Sequence, residues 1–297
     1  MILLLSAAGC TRPLPQGDGV AAVNGIDIHY FVAGAGPVLV VHPGGPGLEW
    51  KYLRMPLVEE FATVVYVDPR GAGASSRPTK LEDYRMERMV EDLEGLRGHL
   101  GLKRMALLGH SHGGIVSQLY AIRHQASLKR LILCTTVASG GADWLKEMAA
   151  NMRARSAEPW YADATAAARE SGAGSTPEQA HERFMRMLPF YFYRWEPFKE
   201  AASRLLEGTR ITPESARAFT ELDAPGFDTR EELKKLRVPT MILAGRHDFA
   251  CTPGRAAEMN GLMPNSRLVV FERSGHFPYL EEPQGFALAV RAFLSED

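Results

Sequence analysis

Residues 109–113 read Gly-His-Ser-His-Gly and come directly after the apolar run 105–108. A serine at the centre of Gly-x-Ser-x-Gly, with a strand before it and a helix after it, is typical of a sharp turn that exposes the serine hydroxyl. Such a turn strains the backbone of Ser111, and flanking glycines avoid Cβ clashes where strand and helix come close. The pattern therefore constrains this part of the chain to a strand–turn–helix unit and predicts that Ser111 is a nucleophile.

Strand-like and helix-like segments alternate along most of the chain. Continuous apolar runs are typical of strands buried on both faces of a parallel sheet, and the apolar residues of 85–100 recur at helical spacing. An Asn24-Gly25 pair predicts an opening β-hairpin. The predicted strands are 20–23, 26–32, 37–42, 62–68, 105–108, 128–134, 240–244 and 267–271. This alternation predicts an α/β fold with a mostly parallel, doubly wound sheet of eight strands flanked by helices.

The alternation stops between residues 139 and 227. This stretch is helix-like, rich in alanine, arginine, glutamate and aromatic residues, and interrupted by Gly172-Ala173-Gly174. It predicts a helical cap inserted after the sixth strand, with residues 20–138 and 228–297 forming the core. A chain of 297 residues is long enough for one α/β domain that carries such an insertion.

Residues 1–19 are predicted to be a leader followed by a linker from Thr11 to Gly19. Residues 1–8 are apolar, and Ser6-Ala7-Ala8-Gly9-Cys10 resembles the cleavage site of a bacterial lipoprotein, in which Cys10 would carry the lipid. The stretch is too short to span a bilayer and lacks the positive charge with which a signal peptide starts. Two locations stay open: the bacterial cytoplasm, or a lipid-anchored, periplasmic one.

Charge and cysteine content argue against several kinds of partner. The formal net charge of −1 gives no electrostatic reason to expect nucleic acid. Cys134 and Cys251 lack metal-ligand spacing, so neither a zinc site nor a disulfide framework is predicted. We expect no metal and no cofactor, and a small molecule or a short peptide as the substrate.

A serine hydroxyl needs a general base and an orienting acid before it attacks efficiently. In folds with this turn the chain order is Ser, then Asp or Glu, then His. Asp248 and His276 each lie just past the end of a predicted strand, and the carboxyl ends of parallel strands meet at one edge of the sheet. The sequence therefore predicts a catalytic triad of Ser111, Asp248 and His276.

Other polar residues near these positions have plainer explanations. Asp223 and Asp228 are less suited as the orienting acid because no strand precedes them. His110, His112 and His247 adjoin members of the triad, but adjacent side chains point in different directions. We expect these three side chains to pack in the core or to line a pocket.

An oxyanion hole needs two backbone N–H donors. One is expected from His112, the residue after the nucleophile. The other is expected from the glycine-rich turn 42–47, which reads His-Pro-Gly-Gly-Pro-Gly after the third predicted strand. Since Pro43 has no N–H, either Gly44 or Gly45 must supply the second donor.

These motifs resemble those of the proline iminopeptidase-like branch of the alpha/beta-hydrolase fold. That branch carries His-Gly-Gly-Pro-Gly where this chain has the turn 42–47 with one extra proline. Its Asp-Gln-Arg-Gly-x-Gly-x-Ser corresponds to Asp-Pro-Arg-Gly-Ala-Gly-Ala-Ser at 68–75, and its acid and histidine turns match at Asp248 and His276. The resemblance covers the predicted core and implies an alpha/beta-hydrolase fold that carries a serine hydrolase.

Within the cap, the segment Phe192-Tyr193-Arg194-Trp195-Glu196 looks like the Trp-Glu segment with which these peptidases bind the free amino group of their substrate. The resemblance implies that Glu196 and Trp195 bind substrate, since a charge-assisted hydrogen bond would hold an ammonium group. The plainer alternative is a surface glutamate beside an anchoring tryptophan. The family usually needs further acids in the cap, and the candidates are Glu200, Glu207 and Glu221.

The serine turn departs from the resemblance. Iminopeptidases usually carry Gly-Gly-Ser-Trp-Gly there, whereas Gly-His-Ser-His-Gly is closer to general esterases and lactonases of the fold. The leading hypothesis is an aminopeptidase that releases an N-terminal residue such as proline from short peptides. A carboxylesterase or lactonase with the same triad stays open, as does a ligand-binding relative without activity. Dehalogenase and epoxide hydrolase chemistry is disfavoured, because Ser111 stands where those enzymes need a carboxylate.

Overall fold

One eight-stranded sheet forms the centre of the computed structural model, which describes residues 13–170 and 175–296. Its strand order is β1-β2-β4-β3-β5-β6-β7-β8. The pairs β1–β2 and β2–β4 are antiparallel, and all other neighbouring pairs are parallel. The strands are β1 (Gly17–Val23), β2 (Ile26–Ala33), β3 (Val38–His42), β4 (Thr63–Val67), β5 (Met105–His110), β6 (Leu128–Cys134), β7 (Thr240–Gly245) and β8 (Ser266–Phe271). The predicted mostly parallel sheet of eight strands is confirmed.

Helices cover both faces of this sheet. Leu39 and Val41 pack into one hydrophobic cluster and Val40 into the other, as the two-residue period of a strand requires. Strands β4, β5 and β7 are buried along their whole length, which explains their continuous apolar sequences. The helices are α1 (Pro56–Glu59), α2 (Met86–His99), α3 (His112–His124), α4 (Ala142–Arg153), α5 (Tyr161–Arg169), α6 (Pro177–Met187), α7 (Lys199–Leu206), α8 (Pro213–Ala218), α9 (Arg230–Leu233), α10 (Pro253–Leu262), α11 (Pro278–Glu281) and α12 (Pro283–Ser295).

Helices α4 to α8 lie between strands β6 and β7, so the predicted helical insertion after the sixth strand is confirmed. An isolated antiparallel bridge joins Ser139 and Asp228, and the chain therefore leaves the core and returns to it at neighbouring points. The division into a cap at 139–227 and a core at 20–138 and 228–297 stays a prediction.

Two side chains of α4 attach the insertion to the loop that follows β7. Trp144 Nε1 donates a hydrogen bond to the carbonyl oxygen of Ala250, and Asn151 Nδ2 donates one to the carbonyl oxygen of Phe249. Asp248 precedes these two residues in the same loop. The insertion is therefore held over the edge of the sheet at which the predicted triad residues lie.

The N-terminal strand is longer than its apolar pattern predicts. Strand β1 begins at Gly17 rather than at Val20, because hairpin pairing continues to the partners Gly17 and Val32. The end of the predicted linker is thus part of the sheet, since backbone pairing does not need apolar side chains. The predicted leader with Cys10 and the glycine-rich break at 172–174 lie outside the described residues. Among the helices that the structure describes, none has the length and apolar character to cross a membrane.

The motif at 68–75 organises the end of β4. The carboxylate of Asp68 accepts hydrogen bonds from the backbone N–H groups of Trp50 and Ala74. A Cβ atom at residue 73 would lie only 2.2 Å from Asp68 Oδ2, so this position requires glycine. Arg70 of the same motif forms a bidentate ion pair with Asp92 of α2, with N···O distances of 2.6 and 2.7 Å. The motif therefore joins the core strands to helix α2.

Replacing Asp92 with asparagine should destabilise the protein by about 3–5 kcal/mol, because it leaves the guanidinium of Arg70 buried without a counter-charge. Both side chains of the pair are buried. The free energy of unfolding, measured in urea, is the readout. The exposed Asp143, 3.7 Å from Lys146, provides the control, since Asp143→Asn should cost less than about 1 kcal/mol. Equal losses in the two variants would contradict a stabilising role for the buried pair.

Candidate active site

Ser111 lies between strand β5 and helix α3 in a strained conformation, with φ 55° and ψ −121°. Strand and helix come so close here that a Cβ atom on Gly109 would lie 2.3 Å from the carbonyl oxygen of Gly113. A Cβ atom on Gly113 would lie 2.3 Å from the carbonyl oxygen of Pro43. The predicted strain at the serine and the predicted need for both glycines are confirmed. The serine turn is also packed directly against the glycine-rich turn after β3.

Asp248 and His276 are in direct contact. His276 Nδ1 lies 2.6 Å from Asp248 Oδ2, and both side chains are almost fully buried. The other carboxylate oxygen of Asp248 accepts hydrogen bonds from the backbone N–H groups of Ala250 and Cys251, both at 2.9 Å. Burial alone would raise the pKa of Asp248, but its interaction with His276 and these hydrogen bonds outweigh it and lower the pKa. The carboxylate therefore stays ionised and holds Nδ1–H of the imidazole, which leaves Nε2 free to accept a proton.

Ser111 is connected to His276 through its neighbour. Within the described part of the chain, the Ser111 hydroxyl makes no direct hydrogen bond with the His276 ring. Instead, His110 Nε2 lies 3.0 Å from the carbonyl oxygen of His276, and the two imidazole rings are 4.9 Å apart. Hydrogen bonds between nucleophile and base are often long in unliganded enzymes and shorten when substrate binds. The structure thus brings the three predicted residues to the same edge of the sheet.

Of the three predicted oxyanion donors, only Gly44 has its N–H engaged by another group within the described residues. His112 is the first residue of α3, and the first N–H groups of a helix have no intrahelical partner. Gly44 approaches Ser111 so closely that its Cβ would lie 2.8 Å from the serine Cβ, but its N–H donates to the Tyr52 hydroxyl at 2.5 Å. Gly45 is therefore the remaining donor in the turn.

The histidines around Ser111 are neutral. Burial, together with the neighbouring His276, lowers the pKa of His110 to about 3. Burial, together with the neighbouring His42, lowers the pKa of His112 to about 3. His247 stacks on Tyr193 with 3.9 Å between ring centroids. These three side chains pack against other residues, as the sequence analysis expects.

The two alternative acids have structural roles. Asp223 accepts hydrogen bonds from Arg85 Nε and from the backbone N–H of Met86 at the start of α2. Asp228 forms an ion pair with Arg230 on the surface. Neither is among the residues that contact His276, so Asp248 is the acid that the structure brings to the imidazole.

A cavity of about 160 Å³ lies beside the glycine-rich turn. Gly45 and Pro46 form one wall, and residues of α6 form another, among them Arg183, the only charged residue in the described lining. Tyr191 also lines the cavity, and its carbonyl oxygen accepts a hydrogen bond of 2.6 Å from the backbone N–H of His276. The cavity therefore lies next to both the glycine-rich turn and His276, the predicted base.

The cap acids that the resemblance implies lie elsewhere. Glu196 is exposed and does not line this cavity, because Trp195 packs inward against Phe192 and leaves its neighbour on the outer surface. Glu200 and Glu221 are exposed and form surface ion pairs within their own helical segments. Glu207 is exposed as well. An amine-binding role for these residues thus remains a prediction without a contact that supports it.

Two residues that no sequence motif marks connect the helical insertion to the loop of His276. The Glu281 carboxylate accepts hydrogen bonds from the backbone N–H groups of Gly275 and Tyr193, at 2.6 and 2.7 Å. Burial raises the pKa of Glu281 to about 7. Arg155 of the insertion donates to the carbonyl oxygens of Phe192 and His247. No motif marks Glu281 or Arg155, and their roles follow only from which loops the fold brings together.

Known protein families and sequences match most of this chain. A family model described as alpha/beta hydrolase fold matches residues 37–283. The proline iminopeptidase of Lactobacillus helveticus is 28% identical to this chain over 94% of it and 98% of the relative. The proline iminopeptidase of Saccharolobus solfataricus is 29% identical, with 94% and 92% covered.

Solved structures of esterases and lactonases are also similar. The enol-lactonase from Burkholderia xenovorans LB400 has a TM-score of 0.72 at 24% identity and is covered over its full length by 94% of this chain. A thermophilic esterase from Thermogutta terrifontis has a TM-score of 0.70 at 26% identity, with 93% of this chain and 97% of the esterase covered. The similarity extends over nearly the whole chain, insertion included.

Proposed function

This chain belongs to the alpha/beta hydrolase fold family, and from this membership we propose that it is a serine hydrolase with Ser111, Asp248 and His276 as its catalytic triad. The observation that carries the proposal is the buried contact of 2.6 Å between His276 Nδ1 and Asp248 Oδ2. The strained backbone of Ser111 supports it further, because strain of this kind concentrates at functional sites.

The proposed reaction follows from these positions. Ser111 Oγ attacks the carbonyl carbon of the substrate while His276 Nε2 takes the hydroxyl proton, and the imidazolium then gives that proton to the leaving group. The backbone N–H groups of His112 and Gly45 stabilise the negative charge on the carbonyl oxygen. Water, deprotonated by the same imidazole, then hydrolyses the acyl-enzyme and regenerates Ser111.

Small esters or lactones are the substrate class that the cavity favours. Its described lining is apolar except for Arg183, Tyr191 and backbone groups. The four candidate acids for binding an amine are exposed instead. The histidines that flank Ser111 agree with this assignment, since they match general esterases and lactonases better than iminopeptidases.

The relatives by sequence favour a second candidate. Proline iminopeptidases that match this chain at 26–29% identity cover 88–94% of it. In an aminopeptidase of that type, Glu196 and Trp195 would hold the free amino group of the substrate. The substrate would then need to approach the exposed side of the cap, where Glu196 lies.

Three substrates separate the two candidates: a p-nitrophenyl ester, a proline p-nitroanilide with a free amine, and its N-acetylated form. The ester hypothesis expects kcat/KM for the ester to exceed both anilide values by about 100-fold or more. It also expects Glu196→Gln and the matched surface variant Glu182→Gln, at an exposed glutamate of the insertion outside the cavity lining, to leave ester hydrolysis unchanged.

An aminopeptidase would give the opposite result. Acetylation would abolish hydrolysis of the anilide, and Glu196→Gln would reduce its kcat/KM by about 10-fold or more because a charge-assisted bond is lost. Glu182→Gln would have no such effect. That outcome would replace the ester assignment with the peptidase one and leave the triad in place.

A further inference from the structure

Tyr52 lies between the glycine-rich turn and the serine turn. Its hydroxyl oxygen is 2.5 Å from the backbone nitrogen of Gly44 and 2.9 Å from His110 Nδ1. On the far side of that ring, His110 Nε2 is 3.0 Å from the carbonyl oxygen of His276. All four residues are buried. These three hydrogen bonds therefore form without competition from bulk water.

The ends of this chain of hydrogen bonds determine its direction. A backbone N–H can only donate and a carbonyl oxygen can only accept, so Gly44 donates to Tyr52 and His110 Nε2–H donates to His276. The Tyr52 hydroxyl must then donate to His110 Nδ1. Only the neutral imidazole with its proton on Nε2 completes the chain, and the buried surroundings keep His110 neutral.

Both ends of this series of hydrogen bonds lie on parts of the site that must be placed accurately. At one end, Gly44 packs so close to Ser111 that a Cβ atom on it would lie 2.8 Å from the serine Cβ. At the other, the main chain of His276 is held at both of its polar atoms. Its N–H donates to the carbonyl oxygen of Tyr191, and its carbonyl oxygen accepts a second hydrogen bond, of 3.1 Å, from Thr135 Oγ1.

We propose that Tyr52 and His110 are positioning residues. They hold the glycine-rich turn and the loop that carries His276 in a fixed relation to Ser111. By engaging the N–H of Gly44, Tyr52 also fixes the turn so that Gly45 provides the second oxyanion donor. This inference rests on the proposed serine hydrolase function, because it gives the two residues a task in that same site.

Tyr52→Phe tests this proposal by removing only the hydroxyl group. The N–H of Gly44 is then buried without an acceptor, and the turn is free to move away from the geometry that binds the oxyanion. We expect kcat for a p-nitrophenyl ester to fall about 10- to 100-fold, with KM changed less than about threefold, since the oxyanion contacts strengthen only in the transition state. The pH dependence of kcat should not change, because Asp248 still holds His276.

Tyr66→Phe is the matched control. The buried Tyr66 hydroxyl also connects a backbone N–H to a side-chain acceptor, since Met55 N donates to it at 2.8 Å and it donates to Glu59 at 2.9 Å. This tyrosine lies on β4 and does not contact the site. Tyr66→Phe should lower the melting temperature as Tyr52→Phe does, but leave kcat unchanged. A loss of kcat that is equal in the two variants would reduce Tyr52 to a purely structural residue.

His110→Asn tests the second residue in this series of hydrogen bonds. Asparagine offers an acceptor near the position of Nδ1 but no donor that reaches the carbonyl oxygen of His276. If both residues act through one chain, the double variant with Tyr52→Phe should lose no more kcat than the more impaired single variant. Additive losses, or a kcat for Tyr52→Phe within twofold of the unmodified protein, would overturn the proposal.

Two measurements make these results interpretable. Titration of Ser111 with a fluorophosphonate gives the fraction of folded, reactive protein in each preparation, and kcat is normalised to that fraction. Ser111→Ala separates the two levels of inference. If it retains ester hydrolysis, the proposed function fails; if it abolishes hydrolysis while Tyr52→Phe has no effect, only the positioning role fails.

Discussion

Ser111→Ala is expected to reduce kcat for a p-nitrophenyl ester by about 10⁴- to 10⁶-fold, because it removes the atom that forms the acyl-enzyme. The fold should persist, since the substitution removes a single oxygen and leaves the same backbone. Ser111→Gly should be equally inactive but more stable by about 1 kcal/mol, because glycine adopts φ near 55° without the cost that a Cβ atom brings. Steady-state kinetics and urea unfolding of both variants measure these effects.

Ser117 lies on helix α3, which begins directly after Ser111, and it provides the control for this prediction. Its hydroxyl is fully buried and donates to the carbonyl oxygen of Gly113 at 2.7 Å. Ser117→Ala should therefore cost stability, by about 1 kcal/mol for a lost hydrogen bond, while kcat stays within about twofold of the unmodified protein. If Ser111→Ala kept more than a tenth of the original kcat, the nucleophile would have to be another group.

The parts of this protein that follow from local patterns could be predicted from the sequence. The central strands are continuous apolar runs because both of their faces are covered, and Ser111 follows one of them between two obligatory glycines. Asp248 and His276 each come just after a strand, and the topology brings those strand ends to one edge. Their contact was therefore predictable without any knowledge of the side-chain packing.

Other features depend on packing between segments that are distant in the sequence. The hydrogen bond between Tyr52 and His110 joins residues that are 58 positions apart, and no pattern in the sequence indicates it. Glu196 illustrates the opposite case, since its motif implies a binding residue but the inward packing of Trp195 leaves it exposed. The position of Arg183 in the cavity likewise depends on how α6 lies over the turn.

The second large effect is expected from Asp248→Asn, which should lower kcat by about 10⁴-fold although it changes neither size nor shape. One oxygen of Asp248 accepts two backbone hydrogen bonds, from Ala250 and Cys251. An asparagine at this position must keep its own oxygen on that side, so its NH₂ group faces His276 Nδ1. Since an NH₂ group can only donate, Nδ1 must give up its proton and become the acceptor. The proton then lies on Nε2, where it blocks the nitrogen that should receive the proton of Ser111.

Stability against pH gives an independent measurement of the same contact. Because the folded-state pKa of Asp248 is lowered, the contacts of its carboxylate with His276 and two backbone N–H groups stabilise the protein above the unfolded-state pKa of about 4. This contribution is lost as the pH falls through the lower folded-state pKa. The free energy of unfolding of the Asp248→Asn variant should therefore lack this pH-dependent contribution. Asp228→Asn, which removes a surface ion pair with Arg230, should leave kcat unchanged. If Asp248→Asn instead retained a tenth or more of the original kcat, the buried contact with His276 could not be what keeps Nε2 of this imidazole ready to accept a proton.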